Sequence, residues 1–327
     1  MTELSSFYSD GLVTLIAGDA EAVGVDLESG SVQTIVTSPP YFGLRDYGVA
    51  GQLGAEATVD EYVDRLVRVF RVLRDALADD GTLWLNLGDS YGGAPGGVQG
   101  SSGECSGRQA AAQRAGRGAK SGRSKELLGV PWRVALALQA DGWLLRSDII
   151  WSKPNPMPES VKDRPTKAHE YLFLFAKSRR YFYDADAIAE PVLDSTIEDL
   201  QRRKVLTNKG THGGARADLG RSRADYVRAD GLRNKRTVWE IGSKPFQGAH
   251  FAVFPPELVR PCVLAGSRRG DLVLDPFSGS GTTGLVATQE GRRYVGIDLN
   301  PEFLELSLRT RFAQPVLDLS GVGGEQR

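Results

Sequence analysis

Short runs of apolar and β-branched residues recur along the chain, most of them closed by glycine or an acid. Leu12–Ala17 stops at Gly18-Asp19, Val32–Thr37 at Ser38, and Thr82–Leu87 at Gly88-Asp89. Far downstream, Asp271–Leu274 stops at Asp275 and Tyr294–Ile297 at Asp298. Such runs, with little polar alternation, read as strands buried on both faces. Between them the period changes. Glu61–Ala78 has apolar residues at Val63, Leu66, Val67, Phe70, Leu73 and Leu77, which predicts a helix ended by Asp79-Asp80-Gly81. Helices are also predicted over Leu127–Leu138, with Pro131 early in it, over Glu257–Leu264 and over Leu285–Gln289. A strand pair is predicted around Trp143–Trp151 and Glu170–Ala176. The alternation predicts an α/β fold, a doubly wound and mostly parallel sheet with an antiparallel edge.

Two strand ends carry candidate chemistry. Val32–Thr37 runs into Ser38-Pro39-Pro40-Tyr41. Neither proline has an N–H, so the ladder stops, and a hydroxyl and an aromatic ring are held where open α/β sheets place their ligands. Alone, this tetrapeptide reads better as a strand-ending turn. The second motif, Asp275-Pro276-Phe277-Ser278-Gly279-Ser280-Gly281-Thr282-Thr283-Gly284, joins a strand to a helix. Its glycines allow close backbone approach to a ligand at a helix start, and Asp298 at the tip of the next strand is placed to hold ribose hydroxyls. By itself this pattern admits a nicotinamide dinucleotide or another adenosine-containing cofactor.

Taken together, the motifs narrow the choice. The chain resembles the DNA amino-methyltransferases, which use S-adenosylmethionine to methylate an exocyclic nitrogen of cytosine or adenine. That family carries a Ser/Asp/Asn-Pro-Pro-aromatic catalytic tetrapeptide, here Ser38–Tyr41, and an acidic-x-Phe-x-Gly-x-Gly donor segment, here Asp275–Gly281. The tetrapeptide comes first and the donor segment last, which is the order of the permuted, or beta, group. The resemblance implies a circularly permuted, Rossmann-like methyltransferase sheet, S-adenosylmethionine as cofactor and double-stranded DNA as substrate. It assigns catalysis to Ser38, Pro39, Pro40 and Tyr41. It places Asp298 on the donor's ribose, Asp19 on its adenine amino group, and Phe277, Gly279, Gly281 and Thr282 at its methionine end, with Asp275 at the head of the motif also counted among the cofactor-binding residues. His250, in His250–Pro255, flanks the methionine moiety. Trp151 and Lys153 fall in the region lining the target-base pocket, while Phe42 and Tyr47 read first as packing and second as stackers. Serine at position 38 points to N4 of cytosine, because adenine-specific members usually carry Asp or Asn there. A cognate restriction endonuclease, and a monomer or homodimer, are left open.

An exocyclic amine is a poor nucleophile because its lone pair is delocalised into the ring. The chemistry therefore asks for hydrogen-bond acceptors rather than a strong base. The Ser38 hydroxyl oxygen and the Pro39 carbonyl both qualify, and acceptors at that place stabilise the positive charge developing on nitrogen. The target base must leave the duplex to reach them.

Charge then locates the substrate-facing segments. The net charge of -1 conceals strong segregation. Gln201–Arg236 holds eleven basic residues, among them Arg202, Arg203, Lys204, Arg221, Arg223, Arg233, Lys235 and Arg236, against three aspartates, which predicts DNA contact. Gly92–Ser124, rich in Gly, Ser, Ala and Arg, reads as a flexible loop leaving the active-site rim. The expected organisation is a catalytic half over 1–183 with the loop 92–124, a recognition region over 184–245, and a cofactor half over 246–327. The cofactor half is too short to form a sheet alone, so its first strand is predicted beside Val32–Thr37. Cys105 and Cys262 form no metal or disulfide framework, and Pro261-Cys262, which mimics a cytosine-C5 nucleophile, is expected to be buried packing. The polar start of the chain and the lack of long apolar runs predict a cytoplasmic protein with no membrane span.

Overall fold

The computed structural model describes residues 6–44, 48–93, 123–192, 231–243 and 254–312. Tyr47, Arg202, Arg203, Lys204, Arg221, Arg223, His250 and most of the expected loop 92–124 lie outside them. The chain divides into two compact units, Met1–Tyr183 with Thr237–Arg327, and Asp184–Arg236.

In the first unit, strands β1 (Tyr8–Ser9), β2 (Val13–Ala17), β3 (Val32–Thr37), β4 (Leu77–Leu87), β5 (Leu144–Ser152), β6 (His169–Ala176), β9 (Val238–Glu240), β10 (Leu272–Asp275) and β11 (Arg293–Asp298) form one sheet. Its order is β1-β2-β11-β10-β3-β4-β6-β5-β9. The five strands from β2 to β4 are mutually parallel, and β6 runs against both β4 and β5. The late strand β10 pairs with β3 in register Val273↔Thr34 and Leu274↔Ile35, as the permuted order demands. β9, which the sequence reading places inside the region 184–245, instead extends the sheet beside β5, so the main unit resumes at Thr237.

Helices α1 (Ala20–Asp26), α2 (Val59–Ala76) and α3 (Val130–Ala140) pack together on one face. Helices α4 (Pro256–Gly266) and α5 (Thr282–Gln289) pack together on the other, with α6 (Pro301–Ser307) following β11. α2 begins two residues before the apolar spacing suggests, because Thr58 and Glu61 make a reciprocal capping box. Its buried stripe runs through Tyr62, Val63, Leu66, Val69, Phe70 and Leu73, against Ile35, Leu83 and Leu85 of the sheet. The predicted terminator Asp79-Asp80-Gly81 lies within β4 as an irregularity: Val32 pairs with Leu77, but Thr34 already pairs with Thr82. Cys262 is buried on α4, as expected of packing. Among the described residues no helix is long and apolar enough to cross a membrane.

In the second unit, β7 (Glu190–Pro191) and β8 (Leu232–Arg233) pair antiparallel. Glu190 accepts hydrogen bonds from Arg233 at 3.1 Å and Arg236 at 2.7 Å. Burial raises the Glu190 carboxyl, but the hydrogen bond from Arg236 and the charges of both arginines outweigh it and hold the group below the usual carboxylate range.

Candidate active site

The carboxyl ends of β2, β11, β10, β3 and β4 open onto one cleft of about 250 Å³, the place that parallel sheet topology provides for ligands. Ser38, Pro39, Pro40, Tyr41 and Asn86 line one side, Asp19, Phe277, Gly279 and Asp298 the other, and Trp151, Lys153 and Glu170 also line it.

The Ser38–Tyr41 segment is held from beneath. Tyr62 of α2 donates to the Pro40 carbonyl at 2.8 Å, and Phe42 is buried against the Tyr62 ring, a packing role. The Tyr41 ring lies on Gly88, where a Cβ would come within 2.5 Å of the ring, so the glycine after β4 makes room for it. Ser38 Oγ is 3.2 Å from Tyr41 Oη and 3.3 Å from Asn86 Oδ1. Tyr41 Oη in turn is 3.0 Å from Asn86 Oδ1 and 2.8 Å from Glu170 Oε2. Asn86 Nδ2 donates to the Tyr171 carbonyl at 3.0 Å, which fixes the amide with its oxygen toward the hydroxyls. Lys153 pairs with the other Glu170 oxygen and lies 4.1 Å from the centre of the Trp151 ring. Burial, and then the neighbouring Glu170 charge, push the Tyr41 phenol well above its ordinary value, so it stays a proton donor. Ser38 thus has acceptors for its own proton and can turn a lone pair to the cleft.

Sequence reasoning missed Glu170 and underused Asn86. Their signals were present: Asn86 interrupts the apolar run Leu83–Leu87, and Glu170 directly precedes the apolar run Tyr171–Ala176. A polar residue kept at the end of a buried strand needs a partner or a task.

On the donor side the residues divide. Asp298 accepts from Gly279 N at 2.7 Å and Asn300 N at 2.9 Å, and two carboxylate oxygens retain further lone pairs for a ligand. Burial pushes it up to about 6, against those two hydrogen bonds. Gly279 sits at φ +52°, and the space where a Cβ would point is open to the Phe277 carbonyl at 3.9 Å. That recess beside a carboxylate fits the ribose-bearing donor the motif implies. Asp19 spends one oxygen on the N-terminus of α1, through Glu21 N and Ala22 N, and its other lies 3.6 Å from Arg65.

Asp275, Gly281 and Thr282 are placed elsewhere than expected, off the cleft wall. Asp275 is 1% exposed and has both oxygens taken: Thr37 Oγ1 at 2.6 Å, Phe277 N at 3.1 Å and Thr283 Oγ1 at 2.7 Å. Burial raises it to about 6 despite those donors. Its work is mechanical: it ties Thr37, the residue before Ser38, to the donor turn and α5. Gly281 faces Ser307 and the Phe312 ring, 2.9 and 3.1 Å from where its Cβ would be, so close packing explains it. Thr282 is buried beneath the turn.

Residues 32–309 match the DNA methylase family that unites N6 and N4 methyltransferases. The chain is 49% identical over 295 residues to the type II methyltransferase M.XycI of Xanthomonas campestris pv. cyanopsidis, covering 90% of this chain and 86% of that protein. It is 47% identical over 296 residues to the type II methyltransferase M.Cfr9I of Citrobacter freundii, with the same coverage of 90% and 86%. The solved structure of PvuII DNA methyltransferase (cytosine-N4-specific) shares the fold, with a TM-score of 0.63 at 20% identity over 95% of this chain and 90% of that one. Since the matched span takes in both the Ser38–Tyr41 strand end and the Asp275–Gly284 turn that face each other in the sheet, the chain belongs to the N6/N4 DNA methylase family.

Proposed function

We propose that this DNA methyltransferase transfers a methyl group from S-adenosylmethionine to the exocyclic N4 of a cytosine flipped out of double-stranded DNA. The observation that carries this reading is the Ser38 hydroxyl, flanked by two acceptors for its proton, on the same cleft as Asp298 and the Gly279 recess. When bound, S-adenosylmethionine supplies an electrophilic methyl group on a positively charged sulfur. Asp298 holds the donor's ribose, Phe277 and Gly279 shape the pocket beside it, and Asp19 faces its adenine. Ser38 Oγ and the Pro39 carbonyl accept from the target amine, turning its lone pair toward the methyl group and stabilising the charge that develops on nitrogen. The rigid Pro39-Pro40 pair keeps those acceptors in line, so orientation carries much of the acceleration.

Serine at position 38 supports cytosine over adenine, in keeping with the family resemblance. The eleven basic residues of Gln201–Arg236 support DNA as the ligand of the second unit, although Arg233 and Arg236 also hold Glu190. Incubation of the protein with labelled donor and duplex DNA, followed by mass spectrometry of the nucleosides, tests the reading. N4-methyl-2′-deoxycytidine is expected. N6-methyl-2′-deoxyadenosine as the sole product overturns the choice of base, and failure to label any duplex overturns the reaction.

A further inference from the structure

The methylated amine must lose a proton, and Ser38 is no base. What lies behind Ser38 is a chain of hydroxyls with a direction. Asn86 Oδ1 and the Glu170 carboxylate can only accept, so the hydroxyl protons of the cluster must point toward them. The Tyr41 proton has two acceptors, and the charged one is the nearer, Glu170 Oε2 at 2.8 Å against Asn86 Oδ1 at 3.0 Å. With that proton given to Glu170, Tyr41 Oη is left to accept from Ser38 Oγ at 3.2 Å. Lys153 on the far oxygen neutralises the carboxylate and holds it in place.

We propose that Ser38, Tyr41 and Glu170 form a proton relay in which Glu170 is the terminal acceptor of the proton released by the target amine. The proposal rests on the amino-methyltransferase reading above and adds to it a residue that positions and drains the reaction through Ser38 and Tyr41. The amine nitrogen gives its lone pair to the methyl carbon as that carbon's bond to sulfur breaks, the electron pair staying on sulfur. One amino proton passes to Ser38 Oγ, the Ser38 proton to Tyr41 Oη, and the Tyr41 proton to Glu170 Oε2. Atoms and charge balance: the base ends neutral, Ser38 and Tyr41 end as they began, and the carboxylate ends protonated. The elevated Tyr41 phenol requires that Tyr41 receive one proton as it gives up the other, so the transfers move together. Water on the cleft does not need to enter the base site for the proton to leave.

Glu170→Gln keeps an acceptor of the same shape for Tyr41 but cannot take a proton. Under single-turnover conditions the substitution is expected to slow methyl transfer by about 100-fold or more, the usual reach of general acid–base catalysis. Donor and duplex affinities, measured by calorimetry without turnover, should stay within about twofold. Glu170→Asp should recover part of the rate. Tyr41→Phe interrupts the same path, so the Glu170→Gln/Tyr41→Phe double variant should be little slower than the slower single variant. In the unmodified protein, a solvent deuterium isotope effect with a bowed dependence on deuterium fraction is expected, since more than one proton moves. A Glu170→Gln rate within about threefold of the parent, additive effects of the two substitutions, or the absence of any solvent isotope effect overturns the relay. These outcomes are separable from failure of the functional reading, which shows as unmethylated duplex with the unmodified protein.

Discussion

The two sides of the cleft are built in opposite ways from similar residues. On the donor side Asp298 is fixed by backbone N–H groups, Asp275 is sealed behind the turn by threonine hydroxyls, and the glycines serve packing as much as access. On the base side the polar groups are Ser38, Tyr41, Asn86 and Glu170, a cluster of hydroxyl protons with more acceptors than protons. A fixed carboxylate holds a ligand equally in its ground and transition states, whereas a cluster that can shift protons responds only as charge develops. The proposed roles therefore predict that the donor side governs affinity and the base side governs rate.

The largest effect that can break this division is on rate. Ser38→Ala should lower the single-turnover methylation rate by roughly 100- to 1,000-fold, as loss of one preorganised partner of developing charge does. Donor affinity, measured by calorimetry, should be unchanged. A comparable loss of donor affinity would dissolve the distinction between the two sides.

Asp298→Ala should produce the converse, a donor affinity weaker by about 10- to 100-fold, as expected for losing hydrogen bonds to a charged group, with a near-parental rate at saturating donor. Proton linkage sharpens this. Free Asp298 titrates at about 6, and a donor that binds its charged form lowers that value. Affinity is then fully present above about 6 and declines as the pH falls below it, with proton release on binding at the lower pH. Asp298→Asn should remove that decline, and calorimetry in buffers of different ionisation enthalpy would detect it.

The smallest effect separates two glycines of one motif. Gly284→Ala places a methyl 2.5 Å from the Tyr294 ring and should destabilise the fold by about 1–3 kcal/mol, read as a lower denaturant midpoint. Gly279→Ala meets no close neighbour but carries a positive φ, so it should destabilise by about 1 kcal/mol and weaken donor binding more than its stability loss explains. Equal behaviour of the two variants would mean that Gly279 is packing as well.

How much of the site was legible follows from how each residue acts. Ser38–Tyr41 and the strand–turn–helix from Leu272 could be read directly, because consecutive residues carry both the conformation and the chemistry. Glu170 could not, since its importance depends on Tyr41, a partner 129 residues away in the chain that the β3–β4 and β4–β6 pairings bring near. Asp275 was assigned to the ligand because it heads the motif, and the motif cannot reveal that Thr37, 238 residues earlier, seals its carboxylate.

The sequence by itself determined the central strands, the longer helices, the permuted order and the two motifs, since apolar period, proline, glycine and capping act over a few residues. Only the tertiary structure decided which polar residues face the cleft, that Asp79–Gly81 lies within a strand rather than ending a helix, and that Val238–Glu240 joins the sheet. Those outcomes depend on register and on partners far apart in the chain. Hydrogen bonding and desolvation act on neighbours in space, and the linear pattern does not record which neighbours the fold will supply.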